Sequence, residues 1–216
     1  MQAVRTSWSV DALFDTINRD RAFLMNGGGV TVSGGEPALQ GPFVSKLLAR
    51  CREEGLHTAL DTCGAVCREA FESLLPDCDL VLFDLKIMDG ESHRKWTGQS
   101  NDRILKNLEL TARRIRSVGS TKLWIRTPLI PGATATAGNI TAISTFIKEN
   151  LSGIVERWEL CAFNNLCADK YRRLGKPWSL AGVPLLTRSE GESLLNAARS
   201  VSGLAAESVF LKGRMS

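Results

Sequence analysis

The chain has 216 residues, 44% of them apolar, enough to build the core of a single domain spanning residues 1–216. Lys and Arg number 27 against 23 Asp and Glu, and a net charge of +4 spread along the chain argues against a nucleic-acid partner. No apolar run approaches the ~20 residues of a membrane-spanning helix, and Met1–Arg5 leads into a polar stretch rather than a signal-peptide core. No membrane association and a cytoplasmic location are expected, with the six cysteines reduced rather than paired in disulfides.

Short apolar runs alternate with amphipathic stretches. A polar helix follows Ser7-Trp8-Ser9, and Gly27-Gly28-Gly29 forms a turn leading into a strand at Val30–Ser33. Because these glycines precede the strand, and no Gly-Lys-Ser/Thr follows, neither a dinucleotide fingerprint nor a P-loop is present. A helix is predicted over 42–54, stopping at Gly55, then a strand over 57–62, a turn at Gly64 and a helical segment through Phe71, Leu74 and Leu75. Leu80–Lys86 is the most apolar strand and reads as covered on both faces. His93 reads as part of a loop, with a structural or solvated role. A long helix over 104–118 ends at Gly119; a strand at 123–126 precedes a Pro131-Gly132 turn. A helix near 140–148 and a strand over 155–163 come next, then about 25 residues of weak period, a helix near 189–200 and a last strand near 208–211. Strands separated by helical crossovers imply an α/β fold with a parallel sheet.

Polar residues recur at the C-terminal ends of the strands: Glu36, then Asp61 and Thr62, then Asp84 and Lys86, then Arg126 and Thr127, then Asn164 and Asn165. Five strands contributing such ends favour a barrel or partial barrel, whose mouth gathers them, over a doubly wound sheet, where only the switch point faces a ligand. Ser33-Gly34-Gly35-Glu36-Pro37 would let a ligand approach the backbone closely. Asp61 and Asp84 on neighbouring strands repel and require a positive partner. Lys86 can supply one, and Arg126 adds a guanidinium suited to a carboxylate. The cluster reads either as an internal salt-bridge network or as a site for an amino-acid-like ligand. Cys63 and Cys67 have the first interval of a CxxxCxxC cluster loop, but the third position is Ala70, and Cys161 and Cys167 do not repair it. These thiols read as buried small hydrophobes.

Gly28-Gly29-Val30-Thr31-Val32-Ser33-Gly34-Gly35-Glu36-Pro37, Leu60-Asp61-Thr62-Cys63-Gly64, Phe83-Asp84-Leu85-Lys86, Trp124-Ile125-Arg126 and Ile130-Pro131-Gly132 form an ordered set. It resembles the activating enzymes of glycyl radical enzymes, in the radical S-adenosylmethionine superfamily. Trp96-Thr97-Gly98 and Ser100–Leu105 resemble that family too, and the likeness runs from about Ser9 to Leu174. It implies a TIM-like partial (β/α)6 barrel, S-adenosylmethionine across the strand ends, and a [4Fe-4S] cluster that cleaves it reductively. The resulting 5′-deoxyadenosyl radical takes a hydrogen from a glycine of a partner, the glycyl radical enzyme. Flavodoxin or ferredoxin is the implied reductant. By the same resemblance Gly34 and Gly35 meet the methionine amino group, Glu36 fixes their turn, Asp84, Leu85 and Lys86 contact the cofactor, and Arg126 and Asn164 join them. Asp61, Thr62, Asp84 and the Leu82 carbonyl correspond to a site for a monovalent cation, Na+ or K+.

Two departures stand out. Asn164 occupies a position where the family commonly has His, and the family's first strand with its CxxxCxxC loop has no counterpart before Ser9. No residue is therefore assigned as an iron–sulfur ligand or as catalytic, and the chain reads as the C-terminal portion of an activase, missing the first barrel strand. Val30–Ser33 would then be an apolar edge, with marginal stability or pairing with another chain as the expectation. Two other readings are a non-catalytic protein that binds S-adenosylmethionine or a partner, and a barrel enzyme with Lys86 as a Schiff-base lysine, which the neighbouring carboxylates oppose.

Overall fold

The structure is a computed structural model describing residues 6–216; segment 1–5, and with it the reading of Met1–Arg5, lies outside the described residues. Six strands form one sheet: β1 (Val30–Val32), β2 (Thr58–Thr62), β3 (Leu80–Asp84), β4 (Lys122–Leu129), β5 (Val155–Ala162) and β6 (Val209–Lys212). Each pairs in parallel with the next, in the order β1-β2-β3-β4-β5-β6. This order never reverses, so the sheet has no switch point and winds in one sense, the arrangement of a TIM-like partial barrel.

The helices are α1 (Val10–Asn18), α2 (Arg21–Leu24), α3 (Gly41–Glu53), α4 (Arg68–Glu72), α5 (Gly90–Thr97), α6 (Asp102–Val118), α7 (Ala137–Asn150), α8 (Ala168–Arg173) and α9 (Arg188–Val201). Their ends follow from local chemistry. Ser9 caps α1 by accepting from the Ala12 amide at 3.1 Å. Thr187 and Glu190 form a reciprocal capping box on α9. Gly119 stops α6 in the left-handed conformation at φ 73°.

The segment after β3 is not the expected loop. It contains the helix α5, where a loop is expected from sequence; Asp89 caps it by accepting from the Ser92 amide at 2.8 Å, and Gly98 ends it. His93 lies on it, 3% exposed, with Nδ1 2.7 Å from the Gln99 carbonyl, so its role is structural. The weakly periodic stretch after Phe163 contains the short helix α8.

Because side chains alternate across a strand, the sheet has two unlike faces. Leu60, Val81, Phe83, Leu85, Leu123, Ile125, Leu129, Trp158, Leu160 and Val209 point outward, each at most 1% exposed, under the helices. Polar atoms on this face pair among themselves: Trp158 Nε1 donates to Thr127 Oγ1 at 3.0 Å, which donates to the Leu85 carbonyl at 2.8 Å. The other parity, Leu82 and Asp84 on β3, Trp124 and Arg126 on β4, and Arg157, Glu159 and Cys161 on β5, is half-buried and faces inward. β3 is thus not covered on both faces as its apolar sequence suggests: burial alternates along it, since the inner side opens toward the mouth. A smaller cluster of Phe14, Leu47, Cys51 and Leu56 docks α1 on α3. Among the described residues β1 is an edge strand of three residues, with Val30 and Val32 half-buried.

Candidate functional site

The pairing register places the expected residues in one patch. Asp61 lies beside Leu82, and Asp84 beside Arg126, so all four share the inner face. Asp61 and Asp84 are near the C-terminal ends of β2 and β3, whereas Arg126 is within β4, which runs on to Leu129. Arg126 Nη1 donates to Asp61 Oδ2 at 2.9 Å, and Ser33 Oγ donates to the same oxygen at 3.1 Å. Lys86 Nζ donates to Asp84 Oδ2 at 2.9 Å. The positive partner that two adjacent carboxylates require is supplied by the protein itself, one cation per acid. Burial works against the charge on Arg126, but Asp61, Asp84 and Cys161 outweigh it and raise its pKa. These four charged side chains are between 23% and 32% exposed, open enough to re-pair with a ligand. Engagement with Asp84 also occupies the nitrogen that a Schiff-base role for Lys86 would need free.

The Ser33–Pro37 turn lies beside this patch. Gly34 adopts φ 141°, a conformation that L side chains rarely take, and a Cβ on Gly34 or Gly35 would meet nothing within 4 Å. The turn therefore presents bare backbone to open space, a cradle shaped for close approach of a ligand. Glu36 does not face that space. Its Oε1 accepts from the Ala38 amide at 3.1 Å and Thr62 Oγ1 at 2.7 Å, and its Oε2 accepts from the Cys63 amide at 2.9 Å and Sγ at 3.1 Å. Glu36 thus fixes the turn by tying it to the end of β2.

The remaining expected residues are placed differently. Thr62 points to the outer face, 2% exposed, its hydroxyl donating to Glu36 and accepting from the Gly64 amide at 2.9 Å. Leu85 is 1% exposed; its amide donates to the Arg126 carbonyl and its carbonyl accepts from Thr127, so side chain and peptide groups are all engaged away from the mouth. Asn164 follows β5, exposed, and its Oδ1 accepts from the Leu166 amide at 3.1 Å, a turn within its own loop. Leu82 is half-buried on the inner face.

The cysteines also depart from the expectation. Cys67 and Cys167 are exposed and Cys63 and Cys161 half-buried; only Cys51 and Cys78 are buried. The reason is their position: Cys63 and Cys161 share the inner parity, and the other two begin short surface helices. Desolvation, followed by the hydrogen bond to Glu36, pushes the Cys63 thiol up; desolvation also raises Cys161, against the pull of Arg126. Among the described residues no three His, Cys, Asp or Glu side chains converge to hold a metal.

Sequence reasoning missed the third acid–base pair on the inner face. Arg157 Nε is 2.9 Å from Glu159 Oε1, and its guanidinium carbon sits 4.6 Å and 4.0 Å from the ring centroids of Trp124 and Phe210. Parity along β5 was the available signal, since Arg157 and Glu159 register with Trp124 and Arg126. It also missed Asn139, whose Nδ2 donates to the Lys86 carbonyl at 2.8 Å and whose Oδ1 accepts from the Met88 amide at 3.1 Å. That side chain fixes the backbone that carries Lys86.

Comparison with known proteins identifies the family. The Radical SAM superfamily profile matches residues 6–136. The (2S)-3-sulfopropanediol dehydratase activating enzyme of Klebsiella oxytoca is 40% identical over 185 residues, covering 85% of this chain and 56% of that one. The 4-hydroxyphenylacetate decarboxylase activating enzyme of Clostridioides difficile (strain CD196) is 37% identical over 171 residues, covering 79% and 52%. This chain thus spans about half the length of these curated relatives. Among solved structures, a domain of pyruvate-formate lyase-activating enzyme from Bacteroides vulgatus superposes with a TM-score of 0.68 at 28% identity, covering 87% of this chain and all of that one.

Proposed function

The chain belongs to the radical SAM superfamily, and from that premise we propose that it forms the S-adenosylmethionine cradle of an activating enzyme for a glycyl radical enzyme. When bound and reduced by one electron from a [4Fe-4S] cluster, S-adenosylmethionine supplies a carbon radical able to take a hydrogen atom from a glycine of the partner. The observation that carries the reading is the convergence of an open glycine turn with two acid–base pairs on the inner face of adjacent parallel strands.

The residues present suit that cofactor. The bare backbone of Gly34 and Gly35 can meet an ammonium group without a side chain intervening, and Glu36 holds that backbone still. Lys86 can exchange Asp84 for a ligand carboxylate, leaving Asp84 free to accept from a ligand hydroxyl or ammonium. Arg126 orients Asp61 through a direct hydrogen bond. The described residues do not supply the three thiolates a cluster normally takes, so no step is assigned to this chain's own cysteines. A monovalent cation, Na+ or K+, between Asp61 and Asp84 would compete with Arg126 and Lys86 for their charge; comparing cofactor affinity in sodium, potassium and choline chloride tests that. A flavodoxin or ferredoxin as electron donor and a cytoplasmic setting belong to the same proposal. No helix of the described residues is long and apolar enough to cross a membrane.

Titration calorimetry with S-adenosylmethionine tests the cradle. Saturable binding is expected, weakened about tenfold or more by Lys86→Met and by Asp84→Asn, as follows when one partner of a charged contact is removed. An intact fold that releases no heat, or variants that bind as the parent does, would refute the assignment.

A further inference from the structure

We propose that Cys63 is a positioning residue for the cofactor's amino-acid end: its thiol and amide hold the Glu36 carboxylate, and through it the Gly34–Gly35 backbone, against the end of β2. The inference rests on the reading that this turn meets S-adenosylmethionine.

The turn needs such a tether because its two glycines have no side chains to pack. A Cβ at either glycine would meet nothing within 4 Å, so packing supports the turn only from Pro37 and Ala38 onward, which are buried. Side chains flanking the glycines fasten it instead: Ser33 to Asp61 at 3.1 Å, and Glu36 to Thr62 and Cys63. Thr62 Oγ1 gives its single proton to Oε1 at 2.7 Å, which leaves Oε2 to another donor. Cys63 contributes two donors to one carboxylate oxygen, the amide at 2.9 Å and Sγ at 3.1 Å. Burial and the adjacent carboxylate both keep the thiol protonated, so it acts as a donor rather than a nucleophile. Cys63 also lines a cavity of about 160 Å³ together with Lys86 and His93, so the tether sits beside the lysine expected to meet the cofactor carboxylate.

Serine keeps a donor at this position and alanine removes it, which separates hydrogen bonding from space filling. Hydrogen exchange of the segment 33–38, read by mass spectrometry without ligand, is the first measurement. S-adenosylmethionine affinity by calorimetry is the second. Cys63→Ala is expected to speed exchange in that segment, and to weaken affinity, by about three- to tenfold, the scale of one lost side-chain hydrogen bond. Cys63→Ser should stay within about twofold of the parent in both. Should Cys63→Ala fail to fold, Glu36→Gln replaces it, with the same loosening of the turn expected. Parental exchange in Cys63→Ala, or equal loosening in Cys63→Ser, would overturn the tether. A tether confirmed by exchange in a protein that does not bind S-adenosylmethionine would instead sink the functional reading and leave the positioning role standing.

Discussion

The two faces of the sheet come from the same strands yet are stabilised in opposite ways. The outer face is a largely apolar layer, with Thr62 and Thr127 hydrogen-bonded within it, in which Phe83 packs edge-on against Phe71, ring centroids 6.0 Å apart. The inner face holds discrete pairs, Asp61 with Arg126, Asp84 with Lys86 and Glu159 with Arg157. A layer held by area tolerates similar apolar substitutions, whereas a pair held by charge and direction does not. The fold therefore resides in the outer face, and the inner face is left free to serve a ligand.

The largest test of that division is Phe83→Ala. Phe83 is 0% exposed, and the loss is expected to cost about 3–5 kcal/mol, measured by urea denaturation. Gly64→Ala attacks the same contact from the other side. Its φ is 66° and a Cβ would stand 2.5 Å from Phe83 Cζ, so roughly 1–3 kcal/mol of destabilisation is expected. If either variant melted like the parent, the outer face would not be the seat of stability.

Alkaline pH probes the same layer. Cys78 is 1% exposed, its thiol donates to the Leu74 carbonyl at 3.1 Å, and desolvation pushes its pKa from 9.0 to about 12. A group whose folded pKa is raised contributes stability that is whole below the unfolded value and lost as pH climbs toward the folded one. The window is thus from pH 9.0 to about 12, with about 1–3 kcal/mol lost by about pH 10.5. Cys78→Ala should flatten that part of the stability curve; an unchanged slope would assign it to other groups. A smaller effect is expected for Thr187→Ala, which removes the α9 capping box for about 1 kcal/mol.

The difference between the faces also explains what could be read in the letters. Alternation and glycine stops revealed the strands, the long helices and the outer core, because these depend on neighbours a few residues away. The strand-end polar residues were visible as a set for the same reason. Lys86 could be read as a partner two residues from Asp84, but the long-range partners could not. Arg126 and Asp61 are 65 residues apart in the chain, and Glu36 and Cys63 are 27 apart, so only the register decides who meets whom. Thr62 and Leu85 belong to the opposite face from Asp61 and Asp84, a consequence of one-residue alternation that motif reading overlooks. α5 escaped because its sequence is polar apart from Trp96, and what stabilises it is its Asp89 cap, its Gly98 stop and the buried His93 rather than an apolar stripe.

The smallest stability effect and the largest functional one should coincide on the inner face. Arg126 and Asp61 are 32% and 23% exposed, so solvent screens the pair, and Arg126→Gln or Asp61→Asn should each change folding stability by less than about 1 kcal/mol. A double-mutant cycle should give a coupling of about 0.5–1 kcal/mol. Ligand affinity responds differently, because Asp61 also holds Ser33 and thereby the near side of the glycine turn. Asp61→Asn keeps shape and an acceptor but loses the charge that orients Arg126, so S-adenosylmethionine affinity should fall about tenfold while the melting temperature moves by no more than a few degrees. Should stability and affinity fall together, the pair would belong to the fold after all, and the inner face would be a second structural layer rather than a site.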